Sequence, residues 1–207
     1  MTIDGSWSMI ESWLSEHAPG TYASLPPAAD SDTVRAAERR CGPVFPEEVV
    51  ASLRRHDGSG EFLLPGNYRL SGAAEIAKGY AWWTGSQQRD VPEELRYWRS
   101  SWLPLAHDGA GGSLFVEMAR GDRRGCIGTH AHGDGGQFVD LPHYASLRAL
   151  LNWAAQALSD GSAADVLDYV LVTDEQGSFS WQDADAEEDG APVSWDMAAL
   201  EHRYGEL

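Results

Sequence analysis

Basic residues are scarce in this chain. Fifteen lysines and arginines stand against 32 aspartates and glutamates in 207 residues, a net charge of −17. Such a surface repels phosphate backbones, so direct nucleic-acid binding is not expected, while a basic protein partner suits it. Cysteine is nearly absent, with only Cys41 and Cys126. That is no disulfide framework, and the expectation is two reduced thiols in a cytoplasmic protein, with a bridge between them left open. No stretch approaches the ~18 apolar residues of a membrane span. Met1 to Trp13 lacks both a basic region and a continuous apolar run, so no signal peptide is read there. The chain is long enough to bury roughly 70% of its unfolded surface, so it needs no metal or disulfide to fold, and no cofactor is expected.

The charge is also uneven. Thirteen acidic residues and one arginine lie between Ala157 and Leu207, which places −12 of the −17 there. The run Asp183 to Gly190 is the densest part. It divides the chain into a body, residues 1–182, and an acidic tail, residues 183–207, with a short helix possible at Ser194 to Tyr204. Solubility alone explains such a tail as well as partner recruitment does.

Hydrophobic spacing sets out the body. Trp7, Ile10, Trp13 and Leu14 recur at helical intervals from Ser6 to His17, and Pro19-Gly20 closes that run. Asp30 or Ser31 caps a second helix with Val34, Ala37 and Cys41 on one face, ending at Gly42. A third helix starts at Pro46 and ends at Asp57-Gly58, with Glu47 and Glu48 in its first turn. Phe62 to Leu64 and Tyr68 to Leu70 read as short strands, Ala73 to Trp83 as a helix, and Glu93 to Trp98 as a possible further one. A meander follows: Trp102 to Ala106, Ser113 to Met118, Gly125 to His130 and Gln137 to Leu141. Ala145 to Leu158 is a long helix, and Asp168 to Thr173 with Ser178 to Trp181 a last hairpin. This order predicts an α+β fold, a central mostly antiparallel sheet with helices packed on it. Trp102, Leu114, Val116 and Ile127 should lie beneath the helix of Leu147 to Leu158, and Phe45 and Leu53 should be buried.

The sequence of motifs resembles the SUKH superfamily, which includes Smi/Knr-type cell-wall regulators and toxin-immunity proteins. The resemblance rests on a Trp-containing first helix, Leu25-Pro26-Pro27-Ala28, and a helix with a glutamate and a closing glycine, Ala37 to Gly42. It continues through Phe45-Pro46-Glu47-Glu48 to His56-Asp57-Gly58, Trp102-Leu103-Pro104, the glycine-rich turn Asp108 to Gly112, Phe115-Val116-Glu117 and Gly125-Cys126-Ile127-Gly128. It covers about Ser6 to Leu158. Family strands often carry Asp where Glu117 stands, and the acidic tail is no family hallmark. The resemblance implies an α+β fold and a role in binding other proteins, with no shared catalytic residues.

Chemistry-bearing clusters are few. His130 and His132 alternate along a strand and can share a metal with Asp134 or His143, the arrangement of a metal-dependent hydrolase. No HExxH or Cys/His knuckle accompanies them, and exposed histidines at a strand end are the bland alternative. Gly109 to Gly112 lacks the lysine of a phosphate cradle and reads as a turn. His107-Asp108 is an acid–base pair or simply turn chemistry. Cys41 and Cys126 read as small buried hydrophobes. Trp82 and Trp83 are adjacent, so a helix cannot aim both at one core, and one of them is a candidate interface anchor. With Glu187 and Glu188 of the tail they form the candidate partner-binding set. The function expected is a non-enzymatic immunity protein that neutralises a basic toxin, such as a nuclease. A regulatory scaffold in cell-wall synthesis and the His130/His132 hydrolase are the alternatives, and the oligomeric state stays open.

Overall fold

The computed structural model describes residues 1–61, 63–85, 97–131, 135–160, 169–183 and 191–192. Four helices open the chain: α1 (Ile3–His17), α2 (Pro19–Ser24), α3 (Ser31–Cys41) and α4 (Glu47–Arg55). The Thr2 side chain accepts the Gly5 N–H and so starts α1 one turn earlier than its apolar stripe suggests. Pro19 does end α1, but it also opens α2, because a first-turn residue needs no N–H. Asp30 caps α3 by accepting the Thr33 N–H at 2.7 Å. Pro46 stands just before α4 rather than as its first residue.

A five-stranded antiparallel sheet follows, in the order β1 (Arg69–Leu70), β2 (Trp102–His107), β3 (Ser113–Glu117), β4 (Ile127–Ala131) and β5 (Gly135–Gln137). Helix α5 (Ala73–Gly85) connects β1 to β2, and α6 (Leu147–Asp160) follows the sheet. The expected strand at Phe62 to Leu64 is only the bridge Leu64 to Tyr68, with Phe62 itself outside the described residues. The expected strand Gln137 to Leu141 lies earlier, at β5. Beyond Gln137 the chain bends, with Leu141 N–H donating to the Val139 carbonyl and a single 3₁₀ turn at Pro142–Tyr144. The expected helix at Glu93 to Trp98 falls mostly on residues outside the described set.

One face of the sheet joins the helices in the main core. Leu103, Leu105, Leu114, Val116 and Ile127 pack there with Trp7, Ile10 and Leu14 of α1 and Leu147, Leu150 and Leu151 of α6; Phe45 and Leu53 are buried in the same cluster. Trp102 is buried too, but on the opposite face, together with Trp98 and Phe115. Strand alternation places Trp102 away from Leu103, so it does not lie beneath α6 as expected. Pro104 sits within a central strand, where its missing N–H is tolerated because the β2–β3 register shifts between Pro104 and Ala106.

A second sheet, β7 (Phe179–Asp183), β6 (Tyr169–Thr173) and β8 (Ala191–Pro192), is antiparallel throughout. The Asp174 carboxylate accepts the Gln176 and Ser178 N–H groups and shapes the hairpin turn. This hairpin docks on the helices. Phe179 N–H donates to Thr21 Oγ1 at 3.0 Å, Gly20 N–H to the Gly177 carbonyl at 2.9 Å, and Trp181 Nε1 to the Leu63 carbonyl at 3.2 Å.

Candidate functional site

Several polar residues of the sequence motifs hold other parts of the chain in place. Trp7 Nε1 donates to Ser52 Oγ at 3.0 Å, tying α1 to α4. Glu38 of α3 accepts the Phe45 N–H at 2.9 Å across the α3–α4 turn. Asp57 accepts the Ala73 N–H at 2.7 Å and so begins α5 from a distant loop. Asp108 accepts the Ala110 and Gly112 N–H groups, both at 2.8 Å, which is turn chemistry rather than half of an acid–base pair. Glu117, 7% exposed, accepts from Trp102 Nε1 and from the Ala119 N–H. The Glu117 carboxylate thereby satisfies the buried Trp102 N–H, which would otherwise be left unpaired.

The remaining titratable groups are placed differently from a catalytic set. His107 Nε2 faces the Arg69 guanidinium, and burial, then Arg69, holds its imidazole below the ordinary range. His143 stacks on Trp153 with ring centroids 4.0 Å apart, and burial pushes its imidazole down. His130, 1% exposed, packs on Trp83 at 4.7 Å and Trp98 at 5.3 Å. Thus His130 and His143 have separate aromatic surroundings, while His132 and Asp134 lie outside the described residues. Among the described residues no three His, Cys, Asp or Glu side chains converge as metal ligands would. The Cys41 thiol is pushed up to about 11 by burial, which keeps it protonated and unreactive.

Trp82 and Trp83 diverge as their adjacency requires. Trp83 stacks on Trp98 at 4.8 Å and joins the aromatic cluster on the reverse face of the sheet. Trp82 is 64% exposed at the end of α5. Glu187 and Glu188 lie outside the described residues.

One feature of the surface carried no sequence signal. Between the β3–β4 loop and the bend after β5 lies an open cleft of about 520 Å³, with Arg123, Cys126 and Ile127 on one side and Phe138, Leu141 and Tyr144 on the other. Its walls come from segments that are ordinary loops when read separately, and only the β4–β5 pairing brings them together.

These placements can be set against known families. The model of the SMI1 / KNR4 family (SUKH-1) matches residues 28–152. The chain belongs to this family. The match runs from the loop before α3 into α6, and so covers the five-stranded sheet. Among curated SMI1/KNR4 proteins, the KNR4/SMI1 homolog of Eremothecium gossypii is 43% identical over 53 residues, which is 26% of this chain and 8% of that protein. The KNR4/SMI1 homolog of Kluyveromyces lactis is 34% identical over 58 residues, 28% of this chain and 11% of that protein. The matched segments therefore span about a tenth of these relatives' length. The SMI1/KNR4 fold in this chain contains no helix long and apolar enough to cross a membrane, among the described residues.

Proposed function

We propose that this SMI1/KNR4 chain is a non-catalytic protein-binding domain, and that it serves in the cytoplasm as an immunity protein that neutralises a toxin by direct binding. One observation carries the reading. Four motif carboxylates, Glu38, Asp57, Asp108 and Glu117, are engaged in holding backbone, while a large aromatic side chain, Trp82, stands on the surface. Tryptophan is enriched among the side chains that anchor protein interfaces, which makes Trp82 the natural candidate. The net charge of −17 supports a basic partner such as a nuclease, because complementary charge accelerates encounter and blocks a nucleic-acid cleft. Glu187 and Glu188 would add to that field. A regulatory scaffold for cell-wall synthesis is the second reading, supported by kinship to the KNR4/SMI1 homologs rather than by any side chain.

Co-expression tests the proposal. Toxic products of the genes flanking this one are expressed with and without the chain, and growth is followed. Rescue that is lost with Trp82→Ala supports binding through the folded surface. Absence of rescue for every toxic neighbour contradicts the immunity role.

A further inference from the structure

The cleft beside the β3–β4 loop has a cluster of arginines at its edge. Arg120, Arg123 and Arg124 occupy one short exposed loop and supply three of the fifteen basic residues. The arginines that form ion pairs among the described residues are others: Arg35, Arg55, Arg69 and Arg148. The charged residues that line the cleft itself are Arg123 and Asp140; with Arg120, Arg124 and Asp122 of the adjoining loop they sum to +1 on a chain of −17. The Arg123 guanidinium lies 4.7 Å from the Phe138 ring centroid, so it is held at the mouth against an apolar wall. A guanidinium stacked in this way retains its planar fork of N–H donors for a carboxylate.

The cleft is also open for a stated reason. The β4–β5 ladder runs through Thr129 to Gln137 and then stops, because the chain bends at Val139 to Leu141. Ile127 and Phe138 are thereby left lining a gap. Val139 on its rim is 38% exposed. The volume of about 520 Å³ falls within the range of built binding pockets.

We propose that this cleft docks an extended acidic segment of a partner protein, with an apolar side chain against Phe138 and Tyr144 and a neighbouring carboxylate on the Arg123–Arg124 rim. Charge complementarity selects this occupant. An acidic segment meets three arginines at this edge on a chain with 32 carboxylates, so complementary charge favours its landing here. The inference does not rest on the immunity reading, which recruits the opposite charge through other residues.

The test uses the full chain and labelled peptides of roughly ten residues. The first alternates glutamate with leucine and phenylalanine; the second replaces glutamate with lysine; the third replaces leucine and phenylalanine with serine. Fluorescence anisotropy gives affinity, and amide exchange maps the site. The expected result is binding of the first peptide alone, with protection at residues 123–127 and 138–145. The double variant Arg123→Glu, Arg124→Glu, which alters only exposed positions, should weaken it at least about tenfold. Val139→Asp should weaken it as well, through the apolar half of the site. No binding of the first peptide, equal binding of the lysine or serine peptide, or indifference to both variants would overturn the proposal.

Discussion

The indole of Trp83 lies on that of Trp98 with centroids 4.8 Å apart and planes 8° from parallel. Trp98 in turn meets Trp102 and Phe115 edge-on at 5.7 Å and 5.5 Å. The end of α5 is thus fastened to the reverse face of the sheet through Trp83, and Trp82 beside it is left on the surface. Trp83→Ala should cost about 2 kcal/mol of stability, less than a fully buried tryptophan because Trp83 is only half-buried. Trp82→Ala should stay within about 0.5 kcal/mol. Urea midpoints of the two variants check this, and equal losses would show that the adjacent indoles do not have separate roles.

A second prediction concerns acid. The Glu11 carboxylate accepts from Arg55 Nε and Nη2, both at 2.5 Å, and faces His56 Nε2 at 2.9 Å. The Arg55 hydrogen bonds, joined by His56 and opposed by partial burial, hold its carboxyl below the ordinary value of 4.5. A depressed folded pKa contributes stability that is present above the ordinary value and lost as pH falls through the folded one. Glu11→Gln should therefore cost about 1–2 kcal/mol at pH 7. The difference from wild type should shrink as pH is lowered through the acid range. A difference that persists unchanged in acid would assign it to packing instead.

Two glycines separate conformational cost from crowding. Gly42 and Gly58 have nearly the same φ, +93° and +92°. A Cβ at Gly42 meets nothing within 4 Å, whereas one at Gly58 meets the Leu70 carbonyl oxygen and the Gly72 nitrogen at 2.8 Å. Gly42→Ala should cost about 1 kcal/mol, the left-handed backbone alone. Gly58→Ala should cost about 2 kcal/mol more, since it must move backbone. Thermal unfolding of both variants gives the comparison, and similar losses would contradict it.

Metal removal gives a further check on the hydrolase alternative. His130 is enclosed by Trp83 and Trp98 and His143 is stacked on Trp153. Chelation should leave the melting temperature unchanged. A drop equivalent to about 2.7 kcal/mol, the linkage expected for a ligand at a hundredfold excess over its Kd, would reinstate a metal site.

How much of this was legible in the sequence varied with the range of the interaction. The stripe Trp7, Ile10, Trp13, Leu14 encodes which face of α1 is buried, because the pattern is local, whereas β3 is buried on both faces, with Leu114 and Val116 in the main core and Phe115 behind it. Pro19 marks the end of α1 correctly and leaves α2 unread, because one residue both stops a helix and starts another. Trp102 was readable as buried but not as lying on the reverse face, since the cover provided by Trp98 depends on how a long connection returns. The Glu38 and Asp57 roles were hidden for the same reason: their donors, Phe45 N–H and Ala73 N–H, lie 7 and 16 residues away. The cleft was the least legible of all, because neither of its walls has a motif. The sequence pointed to Trp82 and Trp83 through adjacency alone, which told that they diverge and not which one faces out.

The central claim is direct binding of a protein toxin by an acidic SMI1/KNR4 domain. Stopped-flow association between the purified chain and any toxin whose effect it suppresses in co-expression, measured at low and high salt, tests it most directly. The account predicts a stoichiometric complex whose association rate falls steeply with salt while the dissociation rate changes little. No complex, or a toxin inactivated with turnover by substoichiometric amounts of this chain, would contradict it.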